Sequence, residues 1–531
     1  VNYGQLYQGL RGAASASYFI NLDSTHAVQI DNDDFIEIFP ALINYHNTVP
    51  VYTALIRNTE DYNAGEIKYE LTIKNYMDDT IYTDGPSVLT GGGKADVNLI
   101  PLFNKDIKTA ASSSGKKSIE IPLKVLIRYK YNNWKYKEKA EKTLILYNQN
   151  SVRWDDPAKI SVFITPEEPS VKTLTENTIS AVDGKSRIPV PEKVLKALSL
   201  YKTLENFGLK FLPDTETPYP EGVKPDPQGQ YPVDLVSYPS EVLYKGIGET
   251  DEFAVLFNSM LESAGIKTAI IVTPEACLTA FALDDDGLIS HSDLMIKHEN
   301  KIWVPVDPRN PEKSFDSAVT GALRIWDSYA EGEKKIISLE TARSRYFSPS
   351  PPEDKGLPKT ISDEVIEESY LADIKNYAYW EIRPEEEMLK DIQKLSKNEP
   401  EVTNRLGVLY ARFEKYKEAY TEFEKASGRE YAPAMVNLAN LYFLDGRLEE
   451  ALPLYEKAYR KNAYNTSMLQ NMAVAYYKRL DFGFAREVYR KLDFLDSEMG
   501  EEISFMAERD SAMTEAAASG HEKGFASLDI F

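Results

Sequence analysis

Cysteine and histidine are almost absent from this sequence of 531 residues. Because Cys277 is the one cysteine, the chain cannot form an internal disulfide or a cysteine-rich zinc site. The histidines show no spacing typical of metal ligands; they are His26, His46, His291, His298 and His521. The sequence therefore predicts no disulfide framework, no metal site and no cofactor.

Long apolar runs are missing as well. No stretch reaches the roughly 18 consecutive apolar residues of a membrane-spanning helix, so no membrane span is predicted. Acidic residues outnumber basic ones by 83 to 61, which gives a net charge of -22. A field of that sign repels nucleic acid and anionic lipid, so neither is an expected partner, whereas basic protein surfaces are favoured.

The length predicts about three or four domains, and the pattern of residues 1–150 favours an all-β one. Apolar and polar residues alternate there with the period of a strand, over 51–57, 66–73, 118–131 and 142–147. We predict an immunoglobulin-like (Ig-like) β-sandwich that starts with a flexible lead-in, for which a short helix is the alternative. A hairpin tip is predicted at 130–136 and a loop at 110–115.

Residues 151–345 predict a second domain of the α+β class. Apolar residues over 251–264 have the spacing of a buried helix, and Gly265 is placed to end it. Strands are predicted at 268–273, 278–283 and 301–306. The proline-rich segment 346–370 is predicted to be a stiff, exposed linker.

Residues 371–515 have a helical pattern with an internal repeat, and a tail follows at 516–531. Matching positions of the copies fall at Leu406, Leu438 and Met472, with offsets of 32 and 34 residues. This pattern resembles the tetratricopeptide repeat (TPR), whose helix pairs stack into an all-α solenoid. The resemblance implies a concave face that binds protein partners. The residues predicted to contact a partner there are Asn404, Tyr410, Asn437, Asn440, Tyr442, Asn471 and Tyr476.

A second resemblance lies in the central part of the chain. Tyr238-Pro-Ser-Glu-Val-Leu243 precedes Gly248-Glu-Thr-Asp-Glu252 at the start of the predicted helix, and Trp303-Val-Pro-Val-Asp307 follows. This order of motifs resembles the bacterial transglutaminase-like (papain-like thiol) family. That family carries Gly-Asp-Cys at the start of a buried helix, then a strand ending in Pro-Gly-His, then Trp-x-Pro-x-Asp. The resemblance implies the fold of that family for residues 151–345.

The chemistry of the family is not retained. It needs a thiol at a helix N-terminus, an imidazole base and a carboxylate that orients the imidazole. Thr250 stands in the place of the Cys and Ala276 in the place of the His, and Asp307 alone keeps its type. We therefore predict a pseudoenzyme with no catalytic residues.

Each of these residues also has a structural interpretation. Thr250 is placed to cap its helix, Asp307 to cap a turn before Pro308, and Cys277 is typical of a buried, inert thiol. In a second alignment His291 is the family His, yet no Cys precedes it. The acidic run at 284–287 favours a solvated hairpin tip over a calcium loop.

The first functional hypothesis is a non-catalytic scaffold that binds protein partners as part of a larger assembly. The alternatives are a hydrolase or acyl transferase acting through the thiol of Cys277 or through another group in the transglutaminase-like cleft, and a module that binds a peptide or glycan in that cleft. The order of the domains resembles spirochaetal periplasmic proteins. The resemblance implies a periplasmic protein whose signal peptide has been removed, with an association with the flagellar motor as one expectation.

Overall fold

The computed structural model describes residues 27–113, 115–215, 217–283, 295–348 and 351–507. The predicted lead-in, the acidic run at 284–287, His291 and the tail at 516–531 lie outside the described residues.

The N-terminal part is built of two β-sheets that enclose one apolar core. Its elements are β1 (Val28–Phe35), α1 (Ile43–His46), β2 (Tyr52–Asn58), β3 (Ala64–Ile73), β4 (Ile81–Asp84), β5 (Val88–Leu89), β6 (Lys94–Leu99), α2 (Ala110–Ser113), β7 (Ser118–Tyr131) and β8 (Trp134–Tyr147). One sheet has the order β1-β2-β6 and the other β4-β3-β7-β8, with β5 paired to β3. The predicted β-rich class is confirmed; an Ig-like strand order stays a prediction.

The hairpin of β7 and β8 confirms the predicted tip at 130–136. Tyr131 pairs with Trp134, and Asn132 and Asn133 between them have φ values of 50° and 64°. Two left-handed residues form the turn that best matches the twist of the flanking strands. The predicted loop at 110–115 is wrong in part, because Ala110–Ser113 form a helical turn that buries Ala111.

The central part combines helices with an antiparallel sheet, which confirms the predicted α+β class. Its elements are β9 (Ser151–Val152), α3 (Pro169–Val182), α4 (Glu192–Asn206), β10 (Lys210–Phe211), α5 (Tyr219–Gly222), β11 (Asp234–Leu235), α6 (Pro239–Lys245), β12 (Ile247–Gly248), α7 (Thr250–Ser263), β13 (Thr268–Val272), β14 (Cys277–Leu283), β15 (Ile296–His298), β16 (Lys301–Val306), α8 (Phe315–Ser328), β17 (Lys335–Ser338) and α9 (Leu339–Arg345). The main sheet has the order β15-β16-β14-β13-β17.

Helix α7 lies at the centre of this domain and is buried on nearly all sides. Phe253, Phe257 and Met260 pack into one apolar core, while Ala254 and Val255 pack into a second core that reaches the N-terminal domain. The helix ends as predicted, since Gly265 follows it with a φ of 78°. Its N-terminus is therefore held inside the protein rather than at an open surface.

The helix that follows corrects the predicted linker. Helix α10 (Asp363–Leu395) begins inside the segment 346–370 and runs unbroken past Pro384. The described part of the linker is also fastened to the α+β domain, since Asp354 accepts hydrogen bonds from the backbone and hydroxyl of Ser170 at 2.7 and 2.5 Å. The linker is thus shorter than predicted and does not stand free of the domain.

The remaining described helices pair in the manner of TPR-like repeats. They are α11 (Pro400–Arg412), α12 (Tyr416–Ser427), α13 (Ala432–Leu444), α14 (Leu448–Lys461), α15 (Thr466–Lys478), α16 (Phe482–Leu495) and α17 (Ser497–Glu502). Helices α11 and α12 cross so closely that a Cβ on Gly407 would lie 2.5 Å from the ring of Phe423. The equivalent positions in the next pairs hold Ala439 and Ala473, both fully buried.

One apolar core joins the α+β domain to the repeats, and α10 is the element that connects them. Its first half packs on α3, α4 and α8, and its second half packs on α11. The ring of Tyr377 lies between Phe315 and Trp380, at centroid distances of 5.8 and 5.3 Å. Asp373 accepts a hydrogen bond from the backbone N–H of Phe315 at 2.8 Å. The repeats therefore share a continuous packed core with the α+β domain.

Candidate functional site

Thr250 is the first residue of α7 and is 2% exposed. Its Oγ1 donates a hydrogen bond to the carbonyl oxygen of Cys277 at 2.8 Å and accepts one from the N–H of Cys277 at 3.1 Å. The hydroxyl proton is therefore already donated, and the hydroxyl joins α7 to the start of β14. The interpretation of Thr250 as the helix cap is wrong: Glu249 is the N-cap, and its N–H donates to the Glu252 carboxylate at 2.9 Å.

Ala276 and Cys277 lie where β14 begins, next to Thr250. Ala276 is fully buried in a tight turn, and its N–H donates to Oγ1 of Thr273 at 3.0 Å. Cys277 is fully buried as well, and the prediction of a buried thiol is confirmed. Burial, together with the nearby Asp251 carboxyl, raises the pKa of Cys277 well above its usual value. The thiol thus lacks the thiolate character that nucleophilic chemistry requires.

We expect Cys277 to be unreactive in the folded protein. Iodoacetamide at pH 8 should leave it unmodified under conditions in which free glutathione reacts completely, because the buried thiol is neither accessible nor ionised. In about 6 M guanidinium the same thiol should react in full. Since it is the one cysteine, intact-mass spectrometry reads both results directly. Full labelling of the folded protein would contradict this expectation.

Asp307 directly follows β16, and the pairing of Thr279 with Val306 places it beside the start of β14. The structure thus brings together the elements that carry Thr250, Ala276 and Asp307. Oδ1 of Asp307 accepts the N–H of Arg309 at 3.1 Å, which confirms the predicted turn cap across Pro308. Both carboxylate oxygens also accept from the Arg309 guanidinium, at 2.8 and 2.9 Å. Asp307 is therefore paired with a permanent cation.

The proline-rich loop between β10 and β11 covers the N-terminus of α7. No motif in the sequence indicates this role. The Glu249 carboxylate accepts the N–H groups of Asp214 and Tyr219, at 3.3 and 2.9 Å. Tyr219 is fully buried, and its hydroxyl donates to the carbonyl oxygen of Thr273 at 3.2 Å. The loop therefore shields the N-terminus of α7 from solvent.

Two buried carboxyl groups lie beneath this loop. Indole Nε1 of Trp154 donates to Oδ2 of Asp234 at 2.8 Å. Burial raises the pKa of Asp234 to about 7, and the nearby Glu249 and Asp214 add to the effect. Burial also raises the pKa of Asp251 well above its usual value, with a further contribution from Asp234. Trp154, Asp234 and Asp251 lie far apart in sequence, so their proximity could not be inferred from it. The motif Gly248-Glu-Thr-Asp-Glu252 includes Asp251, but the sequence assigned this residue no role.

The predicted partner-binding asparagines lie where neighbouring helices of the array meet. Nδ2 of Asn437 donates to Oδ1 of Asn404 at 3.0 Å, which joins α13 to α11. Nδ2 of Asn471 donates to Oδ1 of Asn440 at 3.0 Å, which joins α15 to α13. Asn404, Asn440 and Asn471 are buried, whereas Asn437 is half-buried. The asparagines mark one face shared by α11, α13 and α15.

The predicted tyrosines point to the neighbouring helices instead. The hydroxyls of Tyr410 and Tyr476 donate to Glu386 on α10 and Glu456 on α14, at 2.7 and 2.8 Å. The ring of Tyr442 packs on Tyr420 of α12 at 5.4 Å. Each tyrosine therefore connects its own helix to the helix that precedes it in the chain. Their contact with a partner stays a prediction.

No protein-family model matches the chain, and no curated protein matches it significantly. One solved structure to which the chain is similar is that of MamA (AMB-1), at 15% sequence identity and a TM-score of 0.22. The similarity covers 29% of this chain and 90% of MamA. A similarity this weak supports no function.

In the part of the chain that the structure describes, no helix has the length and apolarity to cross a membrane, and no group of three metal-binding side chains lies together.

Proposed function

We propose that this protein is a non-catalytic scaffold, in which a degenerate transglutaminase-like domain holds a TPR array that binds protein partners. The observation that carries the proposal is the hydroxyl of Thr250, which is hydrogen-bonded to both backbone polar groups of Cys277. A nucleophile must give its proton to a base, and Ala276 supplies none. Asp307 has an arginine partner rather than an imidazole.

The closed loop supports the same conclusion. Tyr219 fills the space next to the N-terminus of α7, and two backbone N–H groups of its loop are bound by Glu249. An acyl-transfer site needs an open position for a carbonyl carbon about 3 Å from the nucleophile. The burial of Thr250 leaves no such position.

Action through Cys277 is disfavoured by its surroundings. A reactive thiol needs a positive or polar setting that favours the thiolate. Cys277 instead packs among apolar side chains such as Tyr219, Val255 and Ile270, with the carboxyl of Asp251 nearby. Each of these features favours the neutral thiol.

The surface proposed for partners is the A-face, defined as the side of α11 and α13 that carries Val408, Val436, Asn437 and Leu444. Val408 lies one helical turn after Asn404, and Val436 and Leu444 lie one turn to either side of Asn440, so they share a face with the bridging asparagines. Leu444 is 49% exposed, whereas the two valines are half-buried and pack partly against the cores of the array. The packed core at α10 joins the helices that carry this face to the α+β domain, which suits a scaffold.

The location remains a proposal from the resemblance to spirochaetal periplasmic proteins, and an association with the flagellar motor rests on that resemblance alone. The net charge of -22 supports partners with basic surfaces.

The A-face is tested by Val436→Lys, with Thr421→Lys on the exposed side of α12 as the matched control. A lysine in an apolar contact should reduce partner binding by about tenfold or more, because its charge would be desolvated without a counter-charge. Partners are recovered from extracts of cells that make the protein and quantified by mass spectrometry against the wild type. Melting temperatures confirm that both variants fold.

The control should recover partners at the wild-type level. Recovery that is unchanged for Val436→Lys, or lowered equally for Thr421→Lys, contradicts the A-face as the binding surface. That result would leave the non-catalytic assignment intact, since the latter depends on Thr250 and Cys277.

A further inference from the structure

A pocket of about 400 Å³ opens beside the loop that covers Thr250. Its apolar walls include Trp154, Pro220, Val223, Tyr231, Val272 and Pro274. The volume falls in the range of about 300–1,000 Å³ typical of small-molecule sites, which are lined mainly by apolar and aromatic groups with a few polar ones. The pocket is separate from the A-face, so a ligand here is independent of the scaffold proposal.

The walls of the pocket are held in place by contacts with the rest of the domain. The hydrogen bond from Trp154 to Asp234 fixes the indole, and the ring of Tyr219 packs edge-on against it at 5.2 Å. The guanidinium of Arg153 donates to the carbonyl oxygen of Tyr231 and pairs with Glu37. A preformed pocket of this kind loses little conformational entropy when a ligand binds.

Two lysines at the rim of the pocket give it a positive charge. Lys224 and Lys335 are exposed, and neither side chain forms an ion pair or hydrogen bond within the described ranges. Of the acidic side chains at the same rim, Asp155 is paired with Lys159 at 2.6 Å, whereas the Glu333 carboxylate accepts the N–H of Ala330 at 3.2 Å and keeps its charge. The rim therefore offers two free ammonium groups in a chain whose net charge is -22.

We propose that this pocket binds a small organic anion, with an apolar body against Trp154 and Val272 and an acidic group between Lys224 and Lys335. The pairing of Val272 with Lys335 across β13 and β17 places the apolar wall and one ammonium group side by side. An anion satisfies both features, because its charge meets the lysines while its body displaces water from apolar surface.

The test compares two fluorescent probes of similar shape. 1-Anilinonaphthalene-8-sulfonate carries a negative charge, and N-phenyl-1-naphthylamine carries none. Neutralising both lysines in Lys224→Gln/Lys335→Gln should raise the Kd of the anionic probe about tenfold and leave that of the neutral probe unchanged. The matched control is Lys124→Gln/Lys137→Gln, which removes two exposed charges from β7 and β8 and should change neither Kd.

A third variant, Val223→Trp, fills the pocket and should weaken both probes. Melting temperatures confirm folding of each variant. The proposal is overturned if the anionic probe binds the Lys224→Gln/Lys335→Gln variant as well as the wild type, or if the control loses as much affinity. It is also overturned if Val223→Trp leaves both affinities unchanged, since the probes would then occupy another surface.

Discussion

Replacing Tyr377 by alanine is expected to lower the free energy of unfolding by about 3–5 kcal/mol, the usual cost of removing a large side chain from a core. Tyr377 is 1% exposed and packs between Phe315 and Trp380 where α10 meets the α+β domain. Because the core continues from there through Tyr410 and Phe423 into the repeats, both parts of the protein should lose stability together.

Two probes measure this loss in urea titrations. The reactivity of Cys277 reports on the α+β domain, and circular dichroism at 222 nm reports on all the helices, of which those of the repeats form the largest group. Both midpoints should fall by the same amount in Tyr377→Ala. The matched control is Tyr379→Ala, in which the tyrosine is 52% exposed and contacts the Lys415 ammonium at 4.0 Å; its cost should stay near 1 kcal/mol. A shift in one probe without the other would show that α10 does not couple the two parts.

The course of α10 could be predicted only in part. Its buried residues Ile366, Tyr370, Ile374 and Tyr377 have clear helical spacing. This pattern predicts a helix that begins inside the segment assigned to the linker and continues beyond it. The prolines before it and Pro384 inside it both argue against a long helix when taken alone. Packing against α3, α4 and α8 overrides that preference, and such packing is not visible in a local pattern. The α7 helix, the strands β13, β14 and β16 and the repeats had strong local periods and were predicted well.

The same division applies to the candidate site. That Thr250 and Ala276 stand where the resembling family carries Cys and His is a prediction from motif order alone. The contacts made around Thr250 could not be inferred, because they join residues distant in sequence: Thr250 bonds to Cys277, Tyr219 lies near Cys277, and Asp234 accepts from Trp154. The asparagines of the repeats were singled out by type and position. Their use as bridges between helices follows from the stacking of α11, α13 and α15.

Replacing Asp234 by asparagine is expected to flatten the dependence of stability on pH. The pKa of Asp234 is raised from 3.8 to about 7 in the folded protein. Between those values the unfolded chain has released the proton and the folded protein still holds it, so the stability of the wild type falls as pH rises through this window. The fall between pH 5 and pH 8 should be on the order of 2–3 kcal/mol from this group. Well above pH 7 the carboxyl is ionised in both states, so this group no longer changes the stability with pH.

Urea titrations of wild type and Asp234→Asn at pH 5, 6, 7 and 8 measure the effect. Asparagine keeps one oxygen to accept the Trp154 N–H, so the variant should fold, and its stability relative to the wild type should improve as pH rises. Part of the pH dependence should remain, because burial also raises the pKa of Asp251. Asp183→Asn, an exposed aspartate at the end of α3, should leave the slope unchanged. A slope in Asp234→Asn equal to that of the wild type would contradict the prediction. It would mean that the Asp234 carboxyl is already ionised beneath Trp154 and that Asp251 alone has a raised pKa.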